Sequence, residues 1–251
     1  MAVHYNTDTR EPYLRLADPF SNIIITPHRL NQLQQTIEAK VPLLNDPRIY
    51  LNLSGPPYPF LPEHEEEYVK MKCEAGEPVL NALRVEFETL VKEQQFFDIC
   101  PFNVIREVTE QDPHTGHPLK DFLIGDVGVN RYMFYEHKHG SEERAQAQRL
   151  NEELPAGDER IVWGIGDFLA PSHHGRGIMT QAIRTVLHDW GLPRMNIKLL
   201  KSAAFEENKG SVRVFEKNNF EVVCTLKDWE PVSESRGGGT KSLVLATWKG
   251  V

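Results

Sequence analysis

Two glycines at the start of a helix-like segment are the feature of this sequence that most clearly suggests chemistry. Gly175 and Gly177 bracket Arg176 within residues 169–178, after a strand-like run and before an amphipathic one. The first N–H groups of a helix lack backbone partners and lie at the positive end of the helix dipole. Because glycines let this backbone approach an anion closely, the segment predicts a pyrophosphate cradle, to which Arg176 adds positive charge.

The glycine loop alone does not decide between a phosphate site and an ordinary tight turn. Neither GxGxxG nor the Walker A pattern occurs in the chain. Gly164 and Gly166 lie inside a strand pattern, which makes them a poor dinucleotide loop. A second motif is therefore needed.

That second motif begins 33 residues after Gly175, at Asn208. An asparagine here can cap a short helix whose first turn contains Ser211. The helix is followed by Glu-Lys-Asn-Asn-Phe at residues 216–220. Asn219 suits a left-handed helix C-terminus, the role that glycine usually has.

Together the two segments resemble the GNAT N-acetyltransferase superfamily, and most closely its ribosomal-protein-alanine acetyltransferase-like branch. Members of that branch have a Q/R-x-x-G-x-G/A loop after their fourth strand, usually preceded by a proline. Pro171 and residues 172–177 follow this pattern, although Ser172 replaces Gln or Arg. The resemblance covers about residues 96–248.

The resemblance implies an α/β (α+β) fold with a mixed, largely antiparallel central sheet flanked by helices. Its fourth and fifth strands would be parallel and would splay apart at one end, and the pantetheine arm of acetyl-CoA would lie between them. Asn208 would contact the pantetheine or simply cap its helix. The residues expected to bind acetyl-CoA are Phe168, Leu169, His174, Gly175, Arg176, Gly177, Ile178 and Asn208.

The reaction implied by the resemblance is attack of an amine, on a protein N-terminus or a small molecule, directly on the thioester of acetyl-CoA. It requires a neutral amine and a proton for the leaving thiolate. Many relatives donate that proton from a tyrosine, but Phe215 stands at that place in this chain. Ser211, one turn earlier, is the nearest substitute.

Asp167 is the candidate general base, because it lies near the expected splay point. Glu107, Asp121 and Asp126 lie on or near central strands and are alternatives, since any of them could order a water that takes the amine proton. Each of the four carboxylates could equally be solvated or paired with a cation.

Two other functions remain open. A GNAT-fold protein could hold CoA without efficient catalysis and act as a sensor, which the phenylalanine at position 215 favours. Alternatively, the charged segment 136–159 could dock a partner in an interaction module.

Composition limits the partners. The chain has 36 acidic and 28 basic residues and a net charge of −8, which disfavours nucleic acid and anionic membranes and suits an amine-bearing acceptor. We therefore expect neither nucleic acid nor a membrane as partner, and a monomer or homodimer.

The cysteines and histidines indicate a metal-free protein of a reducing compartment. Three distant cysteines without a CxxC pattern disfavour disulfides and zinc. The histidine pairs 114/117 and 137/139 lack a third ligand at suitable spacing, so no metal is expected. Residues 1–10 lack the apolar run of a signal peptide, so a cytoplasmic location is expected.

Periodicity predicts the elements that position these residues. We expect an irregular N-terminal arm over residues 1–21 and a single domain over 22–251, with its acetyl-CoA-binding core at about 96–248. The charged insertion at 136–159 is predicted as a loop, with a helical turn near residues 142–150 as the alternative. Helices are predicted from Pro27, over 62–76, from Pro78 through Leu90 and Val91, over 178–190 until Gly191 and Pro193, and from Asn208. Strands are predicted at 22–25, 99–108, 122–134, 161–169, 197–203, 220–226 and 242–248.

Overall fold

One nine-stranded sheet organises the computed structural model, which describes residues 3–89 and 95–250. Its strands lie in the spatial order β1-β2-β3-β4-β5-β6-β7-β9-β8. The strands are β1 (Val3–Tyr5), β2 (Pro12–Arg15), β3 (Ile23–Thr26), β4 (Val104–Gln111), β5 (Pro118–Arg131), β6 (Val162–Leu169), β7 (Leu199–Phe205), β8 (Glu221–Pro231) and β9 (Thr240–Lys249). The helices are α1 (Leu33–Leu44), α2 (Pro47–Tyr50), α3 (Pro62–Thr89), α4 (Glu142–Glu152), α5 (Ile178–Val186), α6 (Leu192–Met195) and α7 (Lys209–Glu216).

Within the described residues, β6 and β7 form the one parallel pair of this sheet. They pair over only three positions, from Val162 opposite Leu199 to Gly164 opposite Lys201. Beyond Gly164 the two strands separate, while β6 stays paired with β5 as far as Leu169. The mixed, largely antiparallel fold with a splayed parallel pair is confirmed.

The main core lies between the sheet and α5. Trp163 of β6 and Trp190, just beyond α5, are fully buried, and the ring of Phe102 meets Trp190 edge-on at 5.1 Å. Burying such side chains removes a large apolar area from water, at about 25 cal/mol per Å². This packing fixes α5 against β6 and therefore fixes the loop that joins them.

The strands predicted at 99–108 and 122–134 correspond to β4 and β5, which form an antiparallel hairpin. The carboxylate of Asp112 accepts hydrogen bonds from the backbone N–H groups of His114 and Thr115, and Gly116 has φ +70°. Both features are typical of a tight turn.

The irregular arm predicted over residues 1–21 is wrong for the described residues, since β1 and β2 extend the sheet beyond β3. Leu14 and Leu16 are buried in the main core. Polar flanking residues obscured these short strands, whose pairing depends on distant parts of the chain. The extent of the single domain, 22–251, stays a prediction.

Two helix boundaries also differ from the sequence prediction. The first helix begins at Leu33, because Thr26 belongs to β3 and its hydroxyl accepts a hydrogen bond from Nε of Arg106. The predicted break at Gly76 and Pro78 is absent, and α3 runs through both. Its buried stripe of Val69, Val79 and Leu83 offsets the missing backbone bond at proline. The predicted helix positions Leu90 and Val91 lie outside the described residues.

The helix predicted to stop at Gly191 continues through a π turn and α6. It ends at Asn196, which has the left-handed φ of +53°. A Cβ at Gly191 would lie 2.9 Å from Cδ1 of Ile197. This glycine therefore permits a close contact and does not end the helix.

The charged segment 136–159 contains a three-turn helix, α4, at the place where the sequence offered a helical turn, and the helix is longer than that turn. The side chain of Asn151 donates to the carbonyl of Val162 at 2.8 Å and accepts from its N–H at 2.8 Å. Arg131 donates to the carbonyls of Asn151 and Leu154. These contacts fasten α4 to the start of β6.

Candidate active site

The separation of β6 and β7 opens a groove of about 660 Å³, which we call the splay groove. Ile178 and Met179 of α5, together with Phe215 of α7, line one side of it. Residues 52–55, after α2, line the other side, and β6 contributes residues 164–169. The groove ends at the glycine loop.

Local backbone geometry makes the glycine loop an open cradle. Gly175 has φ +73° and Gly177, the N-cap of α5, has φ +89°. No atom lies within 4 Å of a Cβ placed on Gly175. The loop therefore has room at Gly175, directly before a helix N-terminus, and the first N–H groups of a helix are the groups that bind phosphate.

Two histidines hold the loop in place. Nε2 of His174 lies 2.7 Å from the carbonyl oxygen of Leu169, at the end of β6. The ring of His173 lies between Oγ of Ser172 at 2.9 Å and the carboxylate of Glu107 at 3.0 Å. Glu107 thus anchors the loop and does not line the groove.

Asp167 does line the groove, and it is the one carboxylate to do so among the described residues. It shares a strand face with Trp163 and Ile165, so its carboxylate meets the groove from the α5 side. Protein surrounds it except towards the groove, and this burial raises the pKa of Asp167 to about 7. A carboxyl that titrates near neutrality can take or give a proton at physiological pH.

The other two alternative bases are committed to cations. Asp121 pairs with Arg29 at 2.9 Å and with Arg106 at 3.1 Å. Asp126 accepts from Nζ of Lys40 at 2.7 Å. Neither carboxylate lines the groove.

Asn208 and Ser211 both line the groove from α7. The side-chain oxygen of Asn208 accepts a hydrogen bond from the backbone N–H of Ser211 at 3.1 Å, which is an N-cap contact. Phe215 is buried and packs against Phe220, with ring centroids 5.2 Å apart. It supplies an apolar wall where many relatives have tyrosine.

The structure brings most of the expected site residues together around one cavity. Arg176 is the exception, because it does not line the groove. The lining includes Asp167, Phe168, Leu169, His174, Gly175, Gly177, Ile178, Asn208 and Ser211.

On the side opposite α5, part of β6 presents glycines to the groove instead of larger side chains. Phe168 packs on the α1–α2 cluster, so Gly166 and Gly164, two and four residues earlier, share its strand face. No atom lies within 4 Å of a Cβ placed on Gly166. The backbone of β6 is therefore accessible from this side at Gly166, whereas Tyr132 covers Gly164, with its Cδ2 3.2 Å from a Cβ placed there.

Sequence reasoning missed several lining residues on this open side. Lys201 of β7 pairs with Glu136 at 2.6 Å, and its ammonium lies 5.0 Å from the ring centroid of Tyr132. The sequence carries no signal for Lys201, because its neighbours in the fold are distant along the chain.

Comparison with known proteins identifies the family. A family model described as "Acetyltransferase (GNAT) domain" matches residues 45–221, which is most of the chain. A protein of Bacillus subtilis (strain 168), the probable N-acetyltransferase YjcK, is 39% identical over 56 residues. That match spans 22% of this chain and 30% of YjcK, so less than a third of the relative is covered.

Solved structures of the same fold are similar over nearly their whole length. The RimL ribosomal L7/L12 alpha-N-protein acetyltransferase in complex with coenzyme A superposes with a TM-score of 0.57 at 12% identity, covering 94% of this chain and 97% of that one. The ribosomal-protein-S5-alanine acetyltransferase from Vibrio fischeri gives 0.50 at 16% identity, covering 92% and 94%. At such identities the likeness shows the fold alone.

The chain belongs to the GNAT acetyltransferase family, as the two sequence motifs predicted. The fold and the family are those of acetyl-CoA-dependent acyltransferases. In the part of the chain that the structure describes, no helix combines the length and apolar character needed to cross a bilayer.

Proposed function

We propose that this protein transfers an acetyl group from acetyl-CoA to an amine in the splay groove. The observation that carries this proposal is the position of the cradle, where the N-terminus of α5 closes the same groove that the separated strands β6 and β7 open. A diphosphate at the cradle would direct an attached arm between the strands.

The residues of the cradle suit this cofactor. Backbone amides of residues 174–178 would receive the pyrophosphate, and Phe168 and Leu169 would flank the pantetheine arm, whose amides can pair with the free edge of β6 beyond Gly164. Asn208 would contact the arm from α7. Arg176, outside the lining, would add only long-range positive charge.

Helices α5 and α7 line one side of the groove. The acceptor would therefore approach from the side that faces away from these helices. Asp167 is the proposed base. Because its carboxylate lies on the α5 side, it would take the amine proton through a water in the gap between β6 and β7. Ser211 is the proposed donor to the leaving thiolate. Backbone N–H groups of β6 would polarise the thioester carbonyl.

The acceptor class is a protein N-terminus or a small amine. The names of two structural relatives, which describe them as acetyltransferases of ribosomal proteins, support a protein N-terminus. An α-amino group, with an ordinary pKa near 7.7–8.0, loses its proton more easily than a lysine near 10.4, and so needs less help from a base. A cytoplasmic location and a monomeric or homodimeric state stay predictions.

The first experiment is the thermal midpoint with and without acetyl-CoA, with NADH and ATP as controls. A ligand at 100 times its dissociation constant stabilises the native state by about 2.7 kcal/mol, which raises the midpoint by degrees. A shift with acetyl-CoA alone, followed by turnover of at least one amine in a panel, supports the proposal. Binding without turnover of any amine would favour a sensor that holds CoA, and no shift at saturation would contradict the cofactor assignment.

A further inference from the structure

Residues 51–60, which join α2 to α3, form the wall of the splay groove on its open side. We call them the wall segment. Positions 52–55 line the groove. Leu53 packs beside Phe168 of β6 on the cluster formed by Leu44, Ile49 and Phe60.

Turns and bends make up the wall segment, so side chains from elsewhere hold much of its backbone. Asn45, at the end of α1, donates to the carbonyl of Phe60 at 2.7 Å and accepts from its N–H at 2.8 Å. This contact fixes the end of the segment, but it does not involve the carbonyls of Leu53 and Pro56, which lie nearer the start of the segment.

Arg236 binds those carbonyls from the opposite end of the chain. Its Nη1 donates to the carbonyl of Leu53 and its Nη2 to the carbonyl of Pro56. Nearby, Nζ of Lys241 donates to the carbonyl of Leu51 at 2.6 Å. A guanidinium can hold two acceptors at once because its N–H groups form a rigid fork.

Within the described residues, the guanidinium of Arg236 donates hydrogen bonds only to these two carbonyls. The residue is 8% exposed, and no carboxylate among these residues pairs with it. Burial alone lowers the pKa of Arg236. A charged group held only by two loop carbonyls is an unusual arrangement, and it ties the wall segment to the β8–β9 connection.

The turn that carries Arg236 is itself well ordered by hydrogen bonds. The N–H of Gly238 donates to the carbonyl of Ser233 at 3.0 Å, and the N–H of Gly237 to that of Glu234 at 3.1 Å. Gly237 has φ +105°, a conformation that other residues rarely adopt. The arginine is therefore presented from a defined turn between two sheet strands.

From these contacts we propose that Arg236 is a positioning residue for the acceptor. It holds positions 52–55 in place as the wall past which the amine must reach the thioester. This inference rests on the proposed acetyl transfer. The cradle, in contrast, is built by α5 and its preceding loop, so loosening the wall should change acceptor binding and leave acetyl-CoA binding intact.

Arg236→Gln in the full chain tests this role. We expect the KM for the acceptor to rise about tenfold or more, with kcat changed less and acetyl-CoA affinity within about twofold of the parent. Arg236→Lys should give an intermediate KM, because one ammonium cannot hold both carbonyls in the same geometry. The control is Arg149→Gln, since Arg149 is exposed on α4, pairs with Glu142 and does not line the groove.

Amide hydrogen exchange supplies a readout that needs no turnover. In Arg236→Gln, the amide of Leu53 should exchange faster than in the parent. The amide of Phe60, which Asn45 holds, and those of α5 should be unchanged. An unchanged acceptor KM overturns the positioning role, and unchanged exchange overturns the contact itself. If the parent binds acetyl-CoA but acetylates no amine, the proposed function fails separately, and faster exchange in the variant would still show that Arg236 holds the wall.

Discussion

Nε2 of His174 lies 2.7 Å from the carbonyl oxygen of Leu169, so the loop between β6 and α5 folds back onto the strand that it leaves. A carbonyl only accepts hydrogen bonds, and Nε2 must therefore carry the proton. This contact positions the two glycines between a fixed strand end and a fixed helix start. It explains how a short, glycine-rich loop can keep its amides pointed at one place.

The cradle predicts a severe effect of Gly175→Asp on acetyl-CoA binding. The new carboxylate would lie where the pyrophosphate is expected, and aspartate is strained at φ +73°. The thermal shift produced by acetyl-CoA should fall to near zero. Gly116→Asp is a matched control, because Gly116 has φ +70° and open space around it but lies in the β4–β5 turn. Equal acetyl-CoA binding by Gly175→Asp and the parent would mean that the cofactor sits elsewhere.

Asp167→Asn should change both catalysis and the pH dependence of stability. Removing the base should lower kcat by about 100-fold and abolish the limb of the pH–rate profile near pH 7. A mutant profile that keeps this limb would remove Asp167 from the mechanism.

The stability effect of Asp167 has a defined sign. Its pKa is about 7 in the folded protein and near 3.9 unfolded, so between these values the folded state binds more protons and stability falls as pH rises. Above pH 7 the asparagine variant should be more stable than the parent by roughly 1–3 kcal/mol, and near pH 4 the two should be alike. Burial also raises the pKa of Glu65 to about 7, but that effect is common to both proteins and cancels in their difference.

Ser211→Ala tests the thiolate's proton donor. If the hydroxyl gives this proton, kcat should fall about tenfold or more while acetyl-CoA affinity is retained. Ser21→Ala is the control, since Ser21 is exposed and does not line the groove. Unchanged turnover in Ser211→Ala would mean that another group, or solvent, protonates the thiolate.

Asn208 has two possible roles that one pair of variants separates. Asn208→Ala loses the cap of α7 and should lower the free energy of unfolding by about 1 kcal/mol. Asn208→Asp keeps an equally good cap but has no amide N–H to donate. If stability returns in the aspartate variant while acetyl-CoA affinity stays low, the amide contacts the cofactor. Full recovery of both would show that the residue is a cap only.

The parts of the site that the sequence predicted are those built from neighbouring residues. The role of Gly175 and Gly177 could be predicted from the local order of strand, loop and helix. Asn208 caps a helix that begins at the next residue. The open side of the groove depends instead on contacts between distant segments. Arg236 meets Leu53 across 183 residues, and Lys201 meets Glu136 across 65. Hydrophobic periodicity, which reflects only neighbouring residues, cannot predict such pairs.

Helix ends were misplaced for a related reason. Glycine and proline interrupt isolated helices, but α3 passes through both where its buried face is long enough. The alternative bases were also beyond sequence reasoning. Asp126 and Asp121 lie in suitable strands, yet the tertiary fold places Lys40 and Arg29 beside them.

The two short N-terminal strands have a practical consequence for anyone who trims this protein. A chain that begins at residue 22, as the sequence alone would suggest, loses Leu14 and Leu16 from the core and makes β3 an edge strand of the sheet. Ile23, Ile24 and Ile25 would then present an uncovered apolar edge with free backbone groups, the kind of surface on which chains stick to one another. The ring of Phe20, 3.7 Å from a Cβ placed on Gly177, would also leave the cradle. Poor solubility and weak cofactor binding in such a fragment would then reflect the trimming and not the protein.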